Sequence, residues 1–134
     1  MRLAEIPPLP GLDEHAAVAH LTAAVAALKA AAERALPALQ GRTLWMVNST
    51  EHGGGVAEML PGMVTLLREL GLDVHWAVME SAEPRFFEFT KNLHNLIHDA
   101  GDPAITPQDV ALYEAVNRRN AEELLRRLKP GDIV

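Results

Sequence analysis

The sequence predicts an α/β domain: a small parallel sheet in the order 2-1-3, strands numbered along the chain, with helices over both faces. Three observations carry that expectation. Two short apolar runs, TLWMVNS at residues 43–49 and LDVHWAVME at residues 72–80, have the continuous hydrophobicity of strands buried on both faces. Between them lies one amphipathic helix, and a strand–helix–strand unit demands a parallel pair joined by a right-handed crossover. The chain then closes on KPGDIV, a helix-to-strand turn followed by the first residues of a third strand.

Each element has its own local reason. Pro7, Pro8 and Pro10 forbid helix, so residues 1–12 form an extended arm and the domain proper occupies 13–134. Asp13 is the candidate N-cap of a helix over 14–36, in which Val18, Leu21, Val25, Leu28, Ala32 and Leu36 step by three and four. The first strand runs into Gly53, Gly54 and Gly55. A helix over 55–70 follows, with Val56, Met59, Leu60, Met63, Leu66, Leu67 and Leu70 inward, until Gly71 stops it. Pro61 lies inside that helix and should kink or delay it. After the second strand, Pro84 opens a helix to residue 99 that carries Phe86, Phe87, Phe89, Leu93, Leu96 and Ile97. Thr106, Pro107 and Asp109 start a last helix reaching residue 128, with a break expected near Asn117–Asn120. The third strand is short for a central parallel strand, so a piece of a longer architecture is expected.

Composition bounds the function. The 134 residues suit one domain with one core, and 49% apolar content is too high for a disordered chain. A net charge of -6 argues against nucleic acid and anionic membranes as partners. Arg118, Arg119, Arg126 and Arg127 are interrupted by Glu122 and Glu123, as on a solvated helix face. The absence of cysteine excludes disulfides and thiolate metal sites. No apolar stretch nears the ~20 residues that span a bilayer, and MRLAEIPPLPGL is too short and proline-rich for a signal peptide. A cytoplasmic protein is the expectation.

The stretch VNSTEHGGGVAEML holds the candidate chemistry. Where a strand hands over to a helix, the first amides lack intrahelical partners and the dipole's positive end is exposed. Glycines there let a ligand approach the backbone, so Gly53–Gly55 suit a phosphate or a crowded sugar. A plain packing turn is the alternative. The phosphate-loop pattern requires Lys-Ser/Thr after its last glycine, whereas Val56-Ala57 follow here. The dinucleotide pattern has its first two glycines in Gly53 and Gly55, a non-glycine near Glu58, and Glu80 where a ribose-binding acid belongs. His52 adjoins the glycines. Lys91, His94 and Asn95 stack on one helix face, a geometry for bonding sugar hydroxyls. His94 and His98, four apart, have the spacing to share a metal, but no third ligand is identifiable.

The segments VNSTEHGGGVAEML, LLRELGLDVHWAVME, FFEFTKNLHNLIH and YEAVNRRNAEEL together resemble the N-terminal domain of family-four retaining glycosyltransferases. Among these the likeness is to trehalose synthases and trehalose phosphorylases, from about residue 44 to the end. The resemblance implies a truncated GT-B fold whose Rossmann-like N-terminal domain mainly binds the acceptor sugar. It also implies that Gly54 and Gly55 approach the donor's diphosphate and glucose and that Lys91, His94 and Asn95 lie near the acceptor. From their place at the same sheet edge, Gly53 is expected with the donor-side glycines and His52 and Glu80 on the acceptor side. The implied reaction moves glucose from a nucleoside-diphosphate glucose to glucose, forming trehalose with retention and with no metal or cofactor. These 134 residues are expected to be inactive alone, since a donor-binding domain would lie outside them. Self-association as a homodimer, through exposed strand or helix surface, is expected as well. The alternative function is a non-enzymatic oligomerising or scaffolding half-fold in which the glycine turn survives without a ligand.

Overall fold

The strand–helix–strand unit anchors the larger of two structural units. The computed structural model describes all residues, Met1–Val134. Along the chain lie β1 (Arg2–Leu3), α1 (Leu12–Ala16), α2 (Thr22–Leu39), β2 (Thr43–Asn48), α3 (Gly55–Glu69), β3 (Asp73–Val78), α4 (Pro84–Ile97) and α5 (Pro107–Leu125). One unit holds Arg2–Val78 with Leu128–Val134; the other holds Met79–Arg127 with Met1.

In the first unit β2 and β3 pair in parallel, in register from Thr43↔Asp73 to Asn48↔Val78. Val74, Trp76 and Val78 form one buried cluster with Leu60 and Val64 of α3. Burying such side chains contributes about 1.5–3 kcal/mol each, which together outweighs the ~3 kcal/mol penalty of an interior proline. Helix α3 therefore begins at Gly55 without delay and continues through Pro61 to Glu69. It ends in a Schellman motif: Gly71 N–H donates to the Arg68 carbonyl at 3.0 Å, and Leu72 N–H to that of Leu67 at 3.1 Å. Its inward stripe is narrower than expected. Val56, Met59 and Met63 are exposed, while Ala57, Leu60 and Val64 are buried.

The sheet differs from the all-parallel one expected. Its order is β1-β3-β2, and β1 pairs antiparallel with β3 through Arg2↔Val78 and Leu3↔Ala77. Ala4 N–H adds one further bond, to the Trp76 carbonyl at 2.9 Å, ahead of the proline-containing part of the arm. Beside β2, in place of a third full strand, Ile133 makes a single parallel bridge to Leu44. Asp132 holds that bridge. Its carboxylate accepts from Thr43 N–H at 3.0 Å, Lys129 N–H at 2.9 Å and the Trp45 indole at 3.0 Å.

The single helix expected over 14–36 is two helices. The Thr22 hydroxyl donates to the Ala16 carbonyl at 2.8 Å, and the Glu69 carboxylate accepts from Leu12 N–H, so both ends of α1 are satisfied early. Val18 falls in the intervening turn and is exposed; Val25 is the buried residue of α2.

In the second unit Tyr113 of α5 lies between Phe86 and Phe89 of α4, each ring centroid 6.1 Å away. Phe87 and Ile97 of α4 are exposed. No break interrupts α5. Asn117 and Asn120 donate to the carbonyls four residues back, at 2.7 and 2.9 Å, without interrupting the helix. At its start Thr106 and Asp109 form a reciprocal capping box, and Arg85 donates to Asp109 at 2.9 and 2.7 Å.

Hydrogen bonds from Thr106, then the Arg85 guanidinium, hold the Asp109 carboxyl below its ordinary range. Backbone amides of Lys129 and Thr43 do the same for Asp132. A carboxylate lowered on folding stabilises above its unfolded value, about 3.9 for Asp, and that contribution fades as pH falls through the folded value. Chemical denaturation across pH should therefore show Asp109→Asn and Asp132→Asn less stable than wild type near neutrality. The gap should close toward about pH 2, where the wild-type carboxylates are protonated too; a gap that stayed constant would contradict this.

Candidate functional site

Strand β2 stops because Asn48 folds its side chain onto the following backbone, donating to the Thr50 carbonyl at 2.9 Å and accepting from Ser49 N–H at 3.0 Å. The Thr50 hydroxyl then donates to the His52 carbonyl at 2.7 Å and accepts His52 N–H at 3.1 Å. Arg2, on the edge strand, pairs with Glu51 and holds that carboxyl below its usual range. The loop is thus shaped by its own short side chains and tied to β1 at one acid.

Gly53 and Gly54 have φ of +76° and +92°, backbone that side-chain-bearing residues rarely adopt. The Gly54 carbonyl accepts the first helical bond of α3, from Glu58 N–H at 3.2 Å. The amides of Gly55, Val56 and Ala57 precede that bond and sit at the positive end of the helix. A Cβ placed on Gly53, Gly54 or Gly55 would meet no heavy atom within 4 Å, so open space lies against this backbone. Such a turn can take a phosphoryl oxygen or a sugar hydroxyl. Exposed Val56 and Met59 flank it with apolar surface, and Glu58 adds an acid to the first turn.

The remaining candidates belong to the second unit, whereas His52 and the glycines belong to the first. Lys91, His94 and Asn95 lie on α4, the first two exposed and Asn95 half-buried. The His94 ring meets His98 edge-on at 4.8 Å, and no group of three acidic or histidine side chains converges as metal ligands. Glu80 follows β3. Its N–H donates to Asn120 Oδ1 at 3.0 Å and its carbonyl accepts from Asn120 Nδ2 at 2.8 Å. Its carboxylate is 53% exposed and lies 3.1 Å from the Met1 ammonium.

Two asparagines hold roles that the sequence did not indicate, Asn92 and Asn120, the latter expected only at a helix break. Asn120 is 2% exposed. Asn92 makes the same pair of bonds to the backbone of Asp102, both 2.8 Å. An asparagine inside a helix with no capping role was the available signal. A cavity of about 540 Å³ is lined by Leu36, Pro37, Arg42 and Asp73, at the amino ends of β2 and β3, away from Gly53–Gly55.

Residues 46–134 match the family of trehalose synthase N-terminal domains. The chain is 46% identical over 96 residues to the trehalose synthase of Rubrobacter xylanophilus, covering 72% of this chain and 23% of that protein. It is 39% identical over 101 residues to the trehalose synthase of Thermococcus litoralis, covering 75% of this chain and 23% of that one. A shorter match, 36% over 58 residues, reaches the trehalose phosphorylase of Grifola frondosa and covers 43% of this chain and 8% of that protein. The chain thus spans about a quarter of the length of the trehalose synthases it matches.

The glycine geometry separates two substitutions. Gly54→Ala, forced into positive φ, should lose about 1–3 kcal/mol of stability. Gly55→Ala needs no unusual φ and meets open space, so its stability should change by less than about 1 kcal/mol. Urea denaturation of both variants checks the difference; equal losses would mean that the turn is not built as described.

Proposed function

The chain belongs to the family of trehalose synthase N-terminal domains, and we propose that it is the acceptor-side part of a glucosyltransferase that forms trehalose. In this reading the parent protein moves glucose from a nucleoside-diphosphate glucose to a second glucose, with retention. Its fold is GT-B, and the parallel bridge of Ile133 to Leu44 sits where a third parallel strand would lie, giving the Rossmann-like order β3, β2, third strand. The amides at Gly53–Gly55 receive the donor's phosphate or glucose oxygens. His52, Glu80, Lys91, His94 and Asn95 serve the acceptor.

The observation that carries this reading is the open glycine turn at the start of α3, inside the segment matched to the family. Departure of a nucleoside diphosphate needs charge stabilisation beyond a few amides. Glu58 is the charged side chain of the first turn of α3, and it has the wrong sign for that task. The 134 residues by themselves therefore bind without transferring. No helix is long and apolar enough to cross a membrane; a cytoplasmic setting, where nucleotide sugars are made, completes the proposal. A second reading, a self-associating homodimeric scaffold, draws on the apolar surface that Val56, Met59 and Met63 expose on α3.

Amide spectra of the 134-residue chain, titrated with UDP-glucose, ADP-glucose and glucose, separate the two. Saturable shifts at Gly53–Gly55 are expected, with no trehalose formed. Silence of those signals at millimolar ligand, together with a dimer in sedimentation that Met59→Lys dissociates, would replace the first reading by the second.

A further inference from the structure

We propose that Asn120 is a positioning residue that presents the Glu80 carboxylate to a neutral hexose, a role that rests on the acceptor-side reading of Glu80 given above. Asn120 is 2% exposed, in the body of α5. Its amide uses every strong bonding group it has. One Nδ2 bond, 2.9 Å to the Val116 carbonyl, belongs to its own helix. The other two, 3.0 and 2.8 Å, go to the N–H and the C=O of a single residue, Glu80.

Those two groups belong to the peptide planes on either side of the Glu80 Cα. Holding both fixes the direction in which the Glu80 side chain leaves the backbone. The side chain beyond that point reaches solvent: the carboxylate is 53% exposed and pairs through Oε2 with the Met1 ammonium at 3.1 Å. A fixed stem with an accessible head is the arrangement a binding acid requires. A carboxylate is acceptor-only and offers two oxygens, which matches a vicinal pair of hydroxyl donors on a sugar.

Asn92 supplies the internal contrast. It clamps the backbone of Asp102 with the same pair of bonds, but Asp102 turns its carboxylate back to Ala104 N–H at 2.9 Å. That acid closes its own loop, and Gly101 packs there so tightly that a Cβ would come within 2.7 Å of the Leu96 nitrogen. Both acids are exposed; the carboxylate of Asp102 is taken up by a backbone amide of its own loop, whereas that of Glu80 accepts from no backbone amide and pairs with the Met1 ammonium.

The test uses the 134-residue chain with D-glucose as probe, following the Glu80 amide and carboxyl signals at a temperature where circular dichroism reports each variant folded. Glu80→Gln and Asn120→Asp should each weaken glucose binding about tenfold, the scale of one hydrogen bond to a charged group. Asn92→Asp, which breaks the equivalent clamp, should leave binding within about twofold, a split that general destabilisation would not produce. If Asn120→Asp does not fold, Asn120→Gln, which keeps the amide but lengthens the reach, carries the same expectation. Unchanged binding by the folded Asn120 variant, or equal weakening by Asn92→Asp, overturns the inference. If Gly53–Gly55 still respond to nucleotide sugar in that case, the functional reading survives it. Absence of glucose shifts at Glu80 in the wild type also overturns the inference, and silence at the glycines as well overturns both.

Discussion

The parallel pairing of β2 with β3 is the constraint from which the first unit follows. Two parallel strands in succession cannot be joined by a tight turn, so the chain must cross over, and the crossover here is α3. Because α3 returns the chain to the start of β3, its own first turn lies beyond the carboxyl end of β2. The glycines stand at that point. Packing then fixes the helix: Leu60 and Val64 close on Val74, Trp76 and Val78. The Trp76 indole N–H is left buried without a partner, an unfavourable contact that the surrounding apolar burial outweighs.

Where strands and helices run out, short polar side chains take over. Asp132 binds two amides and an indole and so fastens the single Ile133 bridge to β2. Asn120 and Asn92 each mimic a neighbouring strand, offering one acceptor and one donor to the backbone of one residue. Asp109 caps its helix and accepts from Arg85. All four are Asn or Asp, whose short side chains place an oxygen close to the main chain at small entropic cost. Asp109 is readable in the sequence because its cap partner Thr106 is three residues away, whereas the bonds of Asn120 to Glu80 and of Asp132 to Thr43 and Trp45 join positions remote in the chain.

That difference decides what could be read in advance. The strands at 43–48 and 73–78 and the helix from Gly55 were legible, since each is set by a local apolar period and a local stop signal. The Thr106 start of α5 was legible for the same reason. The division of the first helix was not, because α1 starts at an amide held by Glu69, far along the chain, and ends at a carbonyl taken by the Thr22 hydroxyl inside an unbroken apolar period. Nor was the antiparallel β1, whose two residues carry no period at all. In the candidate site, the glycine turn was visible as a run of residues, whereas the hold of Asn120 on Glu80 spans forty positions and appears only in three dimensions.

The glycine turn itself limits which oxygen it can favour. A helix end presents roughly half a positive charge, concentrated in its first turn. Glu58, exposed in that turn, meets part of it, and Glu51 on the preceding loop is already matched by Arg2. What the glycines leave accessible is therefore a set of oriented amide donors with little net charge behind them. Amides in that state discriminate by geometry more than by charge. They suit a sugar hydroxyl or one oxygen of a phosphate whose remaining charge is balanced elsewhere, and they suit a free dianion poorly. Apolar Val56 and Met59 beside them favour a ligand with a hydrocarbon face, as a pyranose ring has.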